Sequence, residues 1–236
     1  MLNPLVEPKA DPERLREEFR GAEPFPHVVL DGLFEDADLD RVLAAFPPPE
    51  AAVWRRFDNE RERKLGIREG LGWEDPRIAA FLSAASAPPM LEFLERLSGI
   101  DGLVPDPYFA GGGLHQTVRG GFLKVHADFN WHPKLRLDRR LNVLVYLNRD
   151  WREEYGGALE LWTSGGKRAA KSILPLFNRT VIFATSDASL HGHPCPLECP
   201  EDRTRKSISL YYYTNGRPEE ERSAPHDTRF LEETAP

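Results

Sequence analysis

The pattern of apolar and polar positions changes character once along the chain. Up to about Gly111, apolar residues mostly recur at helical spacing between loops; beyond it they recur every second residue, in short runs parted by turn residues, as far as Thr214. In the first part, Asp11 and Pro12 stand as N-cap and first helical residue of a helix over Glu13–Phe19. Phe25–Phe34 contains a β-branched run that predicts a strand. Asp36 or Asp38 then caps a helix reaching Ala45, which Pro47, Pro48 and Pro49 end. Asp75 and Pro76 open a third helix. After a break at Pro88 and Pro89, Met90–Leu97 forms a fourth, closed by Ser98 and Gly99. Trp54–Glu69 mixes charges of both signs closely and reads as solvated surface, or as a loop folded over a pocket.

Six segments carry the period-two signal: Leu114–Val118, Phe122–Asp128, Leu141–Leu147, Ala158–Trp162, Thr180–Ala184 and Ser207–Thr214. Short strands of this spacing predict a β-sandwich or barrel buttressed by the preceding helices. The expected organisation is an N-terminal helical and strand segment over residues 1–110, an all-β core over 111–216, and a charged tail over 217–236, part of it loosely held.

Composition narrows the class without naming a function. With 40% hydrophobic and 29% charged residues in 236, the chain is ordinary globular protein. A net charge of −7 gives no general attraction to phosphate backbones, so no nucleic-acid partner is expected. The longest uncharged stretch, Ile78–Leu91, is too short to span a bilayer and contains two prolines. The N-terminus lacks a secretory pattern, which points to a cytoplasmic location, and two cysteines, Cys195 and Cys199, are too few for a disulfide scaffold.

The chemistry begins in GFLKVHADFNW. As a strand it places Phe122, Lys124, His126 and Asp128 on one face, and an imidazole beside a carboxylate supplies two ligands to a borderline divalent metal. Downstream, His191 and His193 each offer a third. Arg205 shares a strand face with Ser207, Ser209, Tyr211 and Tyr213, whereas Ile208 and Leu210 face the other layer; its planar fork suits a carboxylate. Asn142, Leu144 and Tyr146 likewise share one face, opposite Leu141, Val143, Val145 and Leu147, so Asn142 and Tyr146 present polar tips to a bound anion.

From about Leu114 to Thr214 these residues resemble the iron(II) and 2-oxoglutarate dependent oxygenases, specifically the prolyl-hydroxylase-like branch. The resemblance rests on His126-x-Asp128, YLNRDW, GGALELW, FNRTVIF, SLHGHPCPL and RKSISLYYY, in family order. It implies a double-stranded β-helix, the cupin-like jelly-roll, with a metal in its mouth. It implies His126, Asp128 and His191 as Fe(II) ligands, His191 because it precedes Pro196 as the family histidine precedes a proline; His193 is the alternative. It also implies that Arg205 pairs with the distal carboxylate of 2-oxoglutarate and that the Tyr146 hydroxyl helps hold it. Gln116 stands where the family often has a tyrosine and is a further cosubstrate contact.

The implied activity is hydroxylation of a protein prolyl residue or a small molecule, with dioxygen and 2-oxoglutarate consumed and succinate and carbon dioxide released, ascorbate serving as reductant. Asp128 separates the chain from halogenating relatives, which lack this carboxylate. Trp131 and His132 follow the ligand strand and either line the entrance or pack a loop beside Pro133, and Trp54–Gly70, Asn130–Leu137 and Arg152–Tyr155 are the segments expected to read substrate. Two rival readings are a zinc knuckle built from His191, His193, Cys195 and Cys199, and a non-catalytic jelly-roll that binds a peptide or sugar. Neither the substrate nor the oligomeric state is indicated by these segments.

Overall fold

The computed structural model describes residues 8–69 and 74–231. Its helices begin where local chemistry supplies the missing hydrogen-bond partners. In α1 (Pro12–Gly21) the Asp11 carboxylate accepts from Glu13 N at 3.1 Å, and Pro12 occupies the first turn, where an N–H would have no helical partner. β1 (His27–Asp31) precedes α2 (Asp36–Ala45), whose N-cap is Glu35; Asp36 begins the helix and accepts instead from Asn178 Nδ2. β2 (Trp54–Asp58) and β3 (Glu62–Ile67) follow. α3 (Pro76–Ala85) is capped by Asp75. α4 (Pro88–Ser98) includes both prolines in its first turn, so they start the helix rather than break the chain before it, and Gly99 at φ 74° closes it.

The remaining strands are β4 (Val104–Pro105), β5 (Gly113–Thr117), β6 (Phe122–Ala127), β7 (Trp131–His132), β8 (Leu137–Tyr146), β9 (Leu159–Trp162), β10 (Ala169–Ile173), β11 (Arg179–Ala184), β12 (His191–His193), β13 (Arg205–Thr214) and β14 (Arg229–Phe230). They form one curled antiparallel sheet in the order β1-β11-β8-β13-β5-β3-β6-β12-β9-β10, the jelly-roll arrangement. All six predicted strand segments are present; β8 and β13 each extend to ten residues.

The two faces of the central strands have separate tasks. Leu141, Val143 and Val145 of β8, with Ile208 and Leu210 of β13, pack in one core with Phe81 and Leu94 from the helices. On the reverse face Asn142, Leu144 and Tyr146, with Ser207 and Ser209, line a cavity of about 770 Å³. The helices therefore buttress the sheet from outside and leave the inner face to chemistry.

Two expectations are corrected. Trp54–Glu69 is chiefly a hairpin rather than a loop, largely exposed but anchored: Trp54 and Leu65 are buried, and β3 pairs with both β5 and β6. Its charges obscured the period because one strand face looks to water and the other into a polar cavity. The tail is held, not loose, as far as Leu231: β14 pairs with β6, and the Asn130 amide donates to Ser223 Oγ and Ala224 O. Residues 1–7, Gly70 and 232–236, which fall within the expected segments, lie outside the described residues. Among the described residues no helix is long and apolar enough to cross a membrane.

Because Ile208 is fully buried between the sheet and the helices, Ile208→Ala is expected to cost about 2–5 kcal/mol of stability. Arg14→Ala, at an exposed position of α1, should stay within about 0.5 kcal/mol. Urea unfolding midpoints check both.

Candidate active site

Two histidines meet because of strand register. β12 pairs with β6 so that His191 lies directly opposite His126, and their ring centroids are 4.5 Å apart. Each ring is turned by its own backbone: His126 Nδ1 donates to Lys124 O at 2.8 Å, and His191 Nδ1 donates to Ser189 O at 3.0 Å. Nε2 is thereby left as the lone-pair atom of both rings, the arrangement a metal-binding histidine needs. Asp128 follows immediately after β6. Its Oδ1 is 3.6 Å from His126 Nε2 and its Oδ2 is 3.5 Å from His191 Nε2.

One ligand atom from each of His126, Asp128 and His191 lies within 4.8 Å of the others. Metal–ligand bonds of about 2.0–2.2 Å can span such a triangle. The protonation states also fit. Burial opposes a charge on Asp128, but the Arg139 guanidinium and the neighbouring imidazoles outweigh it and hold the carboxyl well below its usual range. Burial pulls His191 down to about 4, against the Asp128 charge that favours its protonated form. At neutral pH the cluster is thus a carboxylate with a neutral His191, as a borderline divalent cation requires.

At the other end of the cavity stand Arg205 and Tyr146. Arg205 Nε donates to Gly157 O at 2.7 Å, and Nη2 donates to the Tyr146 hydroxyl at 3.3 Å. Burial raises the Tyr146 pKa, so the hydroxyl keeps its proton and remains a donor for an anion. Gly157 explains part of the GGALELW motif. It sits at φ +71°, and a Cβ there would come within 2.4 Å of Leu197 Cδ2 and 2.9 Å of Arg205 Cδ. Only glycine lets its carbonyl reach the guanidinium without displacing it.

The other sequence-predicted residues divide. Asn142 lines the cavity but is bound at the metal end: Nδ2 donates to Asp128 Oδ2 at 2.7 Å, and Oδ1 accepts from Arg139. Gln116 is a correction. His115 and Thr117 line the cavity, while Gln116 is absent from its lining and donates to Thr204 Oγ1 at 2.9 Å. Strand alternation gives Gln116 the side of Leu114, a core residue, and that shared parity was the available signal. His193 lines the cavity outside the three-residue cluster, opposite Leu123, with its Nδ1 buried and unpartnered.

The knuckle is not assembled. Cys195 is exposed, Cys199 is buried with its thiol donating to Arg203 O at 3.4 Å, and among the described residues the one group suited to a metal is His126, Asp128 and His191. Trp131 and His132 do not line the cavity; His132 is buried 3.4 Å from Asp106 and edge-on to Tyr213. Tyr213, at the far end of the same strand, is buried beyond the cavity lining with its ring against His132. Of the expected substrate segments, Trp54–Gly70 contributes wall residues, including Arg55, Phe57 and Arg68. Asn130–Leu137 and Arg152–Tyr155 contribute none. Asp227 and Thr228, beyond the expected core, complete the rim. Arg139 was missed altogether, because its strand begins four residues before the apolar run that announces it.

Residues 112–213 match the model of the 2OG-Fe(II) oxygenase superfamily, and this interval contains all three clustered residues, Tyr146 and Arg205. Over this interval the chain is similar to the 2OG-Fe(II) oxygenase superfamily. Among curated proteins, mouse (Mus musculus) prolyl 3-hydroxylase OGFOD1 is 33% identical over 79 residues, covering 32% of this chain and 14% of that protein; the chain therefore matches only a small part of this relative. Among solved structures, a Pseudomonas putida prolyl-4-hydroxylase superposes with a TM-score of 0.62 at 13% identity, covering 87% of this chain and 100% of the other. A Trichoplax adhaerens prolyl hydroxylase, solved with a hypoxia inducible factor peptide fragment, gives 0.58 at 19% identity, covering 86% and 90%. At these identities the structures establish a shared fold.

Two outcomes follow from this site. His191 titrates at about 4 when folded and near 6.5 when unfolded, so between these values the unfolded chain binds more protons at this site. Stability of the metal-free protein should therefore fall as pH drops from about 6.5 towards 4, by up to about 1.4 kcal/mol per pH unit. Denaturant titrations across this range should show a shallower slope for His191→Gln. Separately, Gly157→Ala should dislodge Arg205 and cost about 1.5–3 kcal/mol of dicarboxylate binding, tenfold or more in Kd. Calorimetric titration with succinate measures it.

Proposed function

We propose that the chain is an iron(II)- and 2-oxoglutarate-dependent dioxygenase that hydroxylates a prolyl residue of a protein, releasing succinate and carbon dioxide. The observation that carries this reading is one cavity with the His126, Asp128 and His191 cluster at one end and the buried Arg205–Tyr146 pair at the other. His126, Asp128 and His191 would hold iron(II), which would supply Lewis-acid and redox chemistry there. Three protein ligands leave coordination positions free, unlike a closed structural metal site.

The chain's own residues do the rest. Arg205 binds the distal carboxylate of 2-oxoglutarate with a charge that persists at any physiological pH, and Tyr146 orients the same group through its hydroxyl. Leu144 and Leu159 supply apolar wall to the cavity and limit access of water. Asn142 keeps Asp128 turned to the cluster. Ascorbate serves as reductant, and dioxygen enters from the mouth.

A prolyl residue is favoured over a small molecule because the curated relative is a prolyl 3-hydroxylase and the Trichoplax enzyme was solved with a peptide. The rim formed by the β2–β3 hairpin and residues 227–228 is the surface assigned to reading that peptide. Free thiols at Cys195 and Cys199 are in keeping with the cytoplasm, the compartment assigned here.

The test is succinate formation by the purified protein supplied with Fe(II), 2-oxoglutarate and air. The native chain should convert 2-oxoglutarate, Asp128→Ala should not, and Arg205→Ala should lose at least about tenfold in kcat/KM for the cosubstrate. Native protein that neither binds a divalent metal nor forms succinate would sink the assignment. Mass spectrometry of peptide mixtures for one added oxygen on proline then identifies the substrate.

A further inference from the structure

Asp128 is held far more tightly than a metal ligand needs merely to be present. Arg139, fully buried on β8, places Nη2 3.0 Å from Asp128 Oδ2. Its Nε and Nη2 also donate to Asn142 Oδ1, at 2.9 and 2.7 Å, and Asn142 Nδ2 donates to the same Asp128 Oδ2 at 2.7 Å. The three side chains close a triangle in which Oδ2 receives two donors. Two aromatic rings flank the guanidinium: its carbon lies 3.4 Å from the Tyr211 ring centre and 4.4 Å from that of Phe129. Tyr211 is anchored in turn by its hydroxyl, which donates to Gly111 O at 2.9 Å.

This arrangement treats the two carboxylate oxygens unequally. Oδ2 lies 3.5 Å from His191 Nε2, but its lone pairs are committed to Asn142 and Arg139. Oδ1 lies 3.6 Å from His126 Nε2 and is the oxygen without those donors. A carboxylate can ligate through one oxygen or two, and swinging to two here would break two short, charge-assisted contacts in a dry site. An arginine so deeply buried also carries a large desolvation cost, which a persistent anionic partner offsets.

We propose that Arg139 and Asn142 are a positioning pair that restricts Asp128 to one-oxygen ligation through Oδ1, so that the metal keeps one more position open for cosubstrate and dioxygen than a two-oxygen carboxylate would leave. The inference rests on the metal-site reading above. Neither residue touches a reacting atom; both act through Asp128. Arg139 supplies the charge that keeps Oδ2 occupied, and Asn142 supplies the geometry, bridging the guanidinium and the carboxylate.

Manganese(II) tests this without turnover, because water-proton relaxation of the bound ion counts its exchangeable waters. The comparison uses full-length native protein, Asn142→Leu, Arg139→Met and an Asp128→Ala control. Asn142→Leu and Arg139→Met should each bind Mn(II) with about one bound water fewer than the native protein, as Oδ2 turns onto the metal. Should Arg139→Met fail to fold, Asn142→Leu decides the matter, since it removes a donor to the same oxygen while keeping side-chain size. A folded Asn142→Leu protein with the native water count overturns the proposal and leaves the oxygenase reading intact. Native protein whose Mn(II) binding is no different from that of Asp128→Ala overturns both.

Discussion

The site depends on one antiparallel pairing, His191 of β12 opposite His126 of β6. Side chains alternate along a strand, so a slip of one residue would send one imidazole to the opposite face of the sheet. The pairing is secured from both sides. β12 is also bonded to β9, where His191 faces Leu161, and β6 is flanked by β3 and β14. Close contact at Gly192 belongs to the same constraint: a Cβ there would lie 2.8 Å from Leu123 O. The glycine between the two histidines lets the strands approach closely enough for their rings to meet.

Electrostatics complete what register begins. Within the folded protein Asp128 is nearly enclosed, and a lone carboxylate in such a place would take up a proton. Arg139 prevents this by sitting beside it, itself tolerated because Asn142, Phe129 and Tyr211 surround it. At the opposite end Arg205 forms no ion pair with a carboxylate among the described residues; it is oriented by the Gly157 carbonyl and the Tyr146 hydroxyl. The cavity thus has one end whose charge is balanced internally and another whose charge awaits an anion. That asymmetry gives a dicarboxylate a direction in which to bind.

Much of this was legible along the chain, since period-two patterns assign faces without any knowledge of partners. The alternation of β8 placed Leu141 and Val143 in the core and Asn142 and Tyr146 in the cavity. The same rule placed His126 with Asp128 and Arg205 with Ser207. It failed where the strand itself was hidden. β2 and β3 carry charges on both faces, one solvated and one lining the polar cavity, so the hairpin resembled an exposed loop. Gln116 matches the family's tyrosine position along the chain, but it shares a strand side with Leu114 and so turns away from the cavity.

The amino-acid sequence alone determined an all-β core of two-faced strands, because these follow from spacing within single strands, and its family resemblance implied the jelly-roll and the residues that would meet a metal and a cosubstrate. Tertiary structure decided between His191 and His193, brought Arg139 against Asp128, moved Asn142 from an anion contact to a bridge, and set residues 227–228 at the rim. Each of these depends on which strand lies beside which and in what register, a relation between distant segments that no local periodicity encodes.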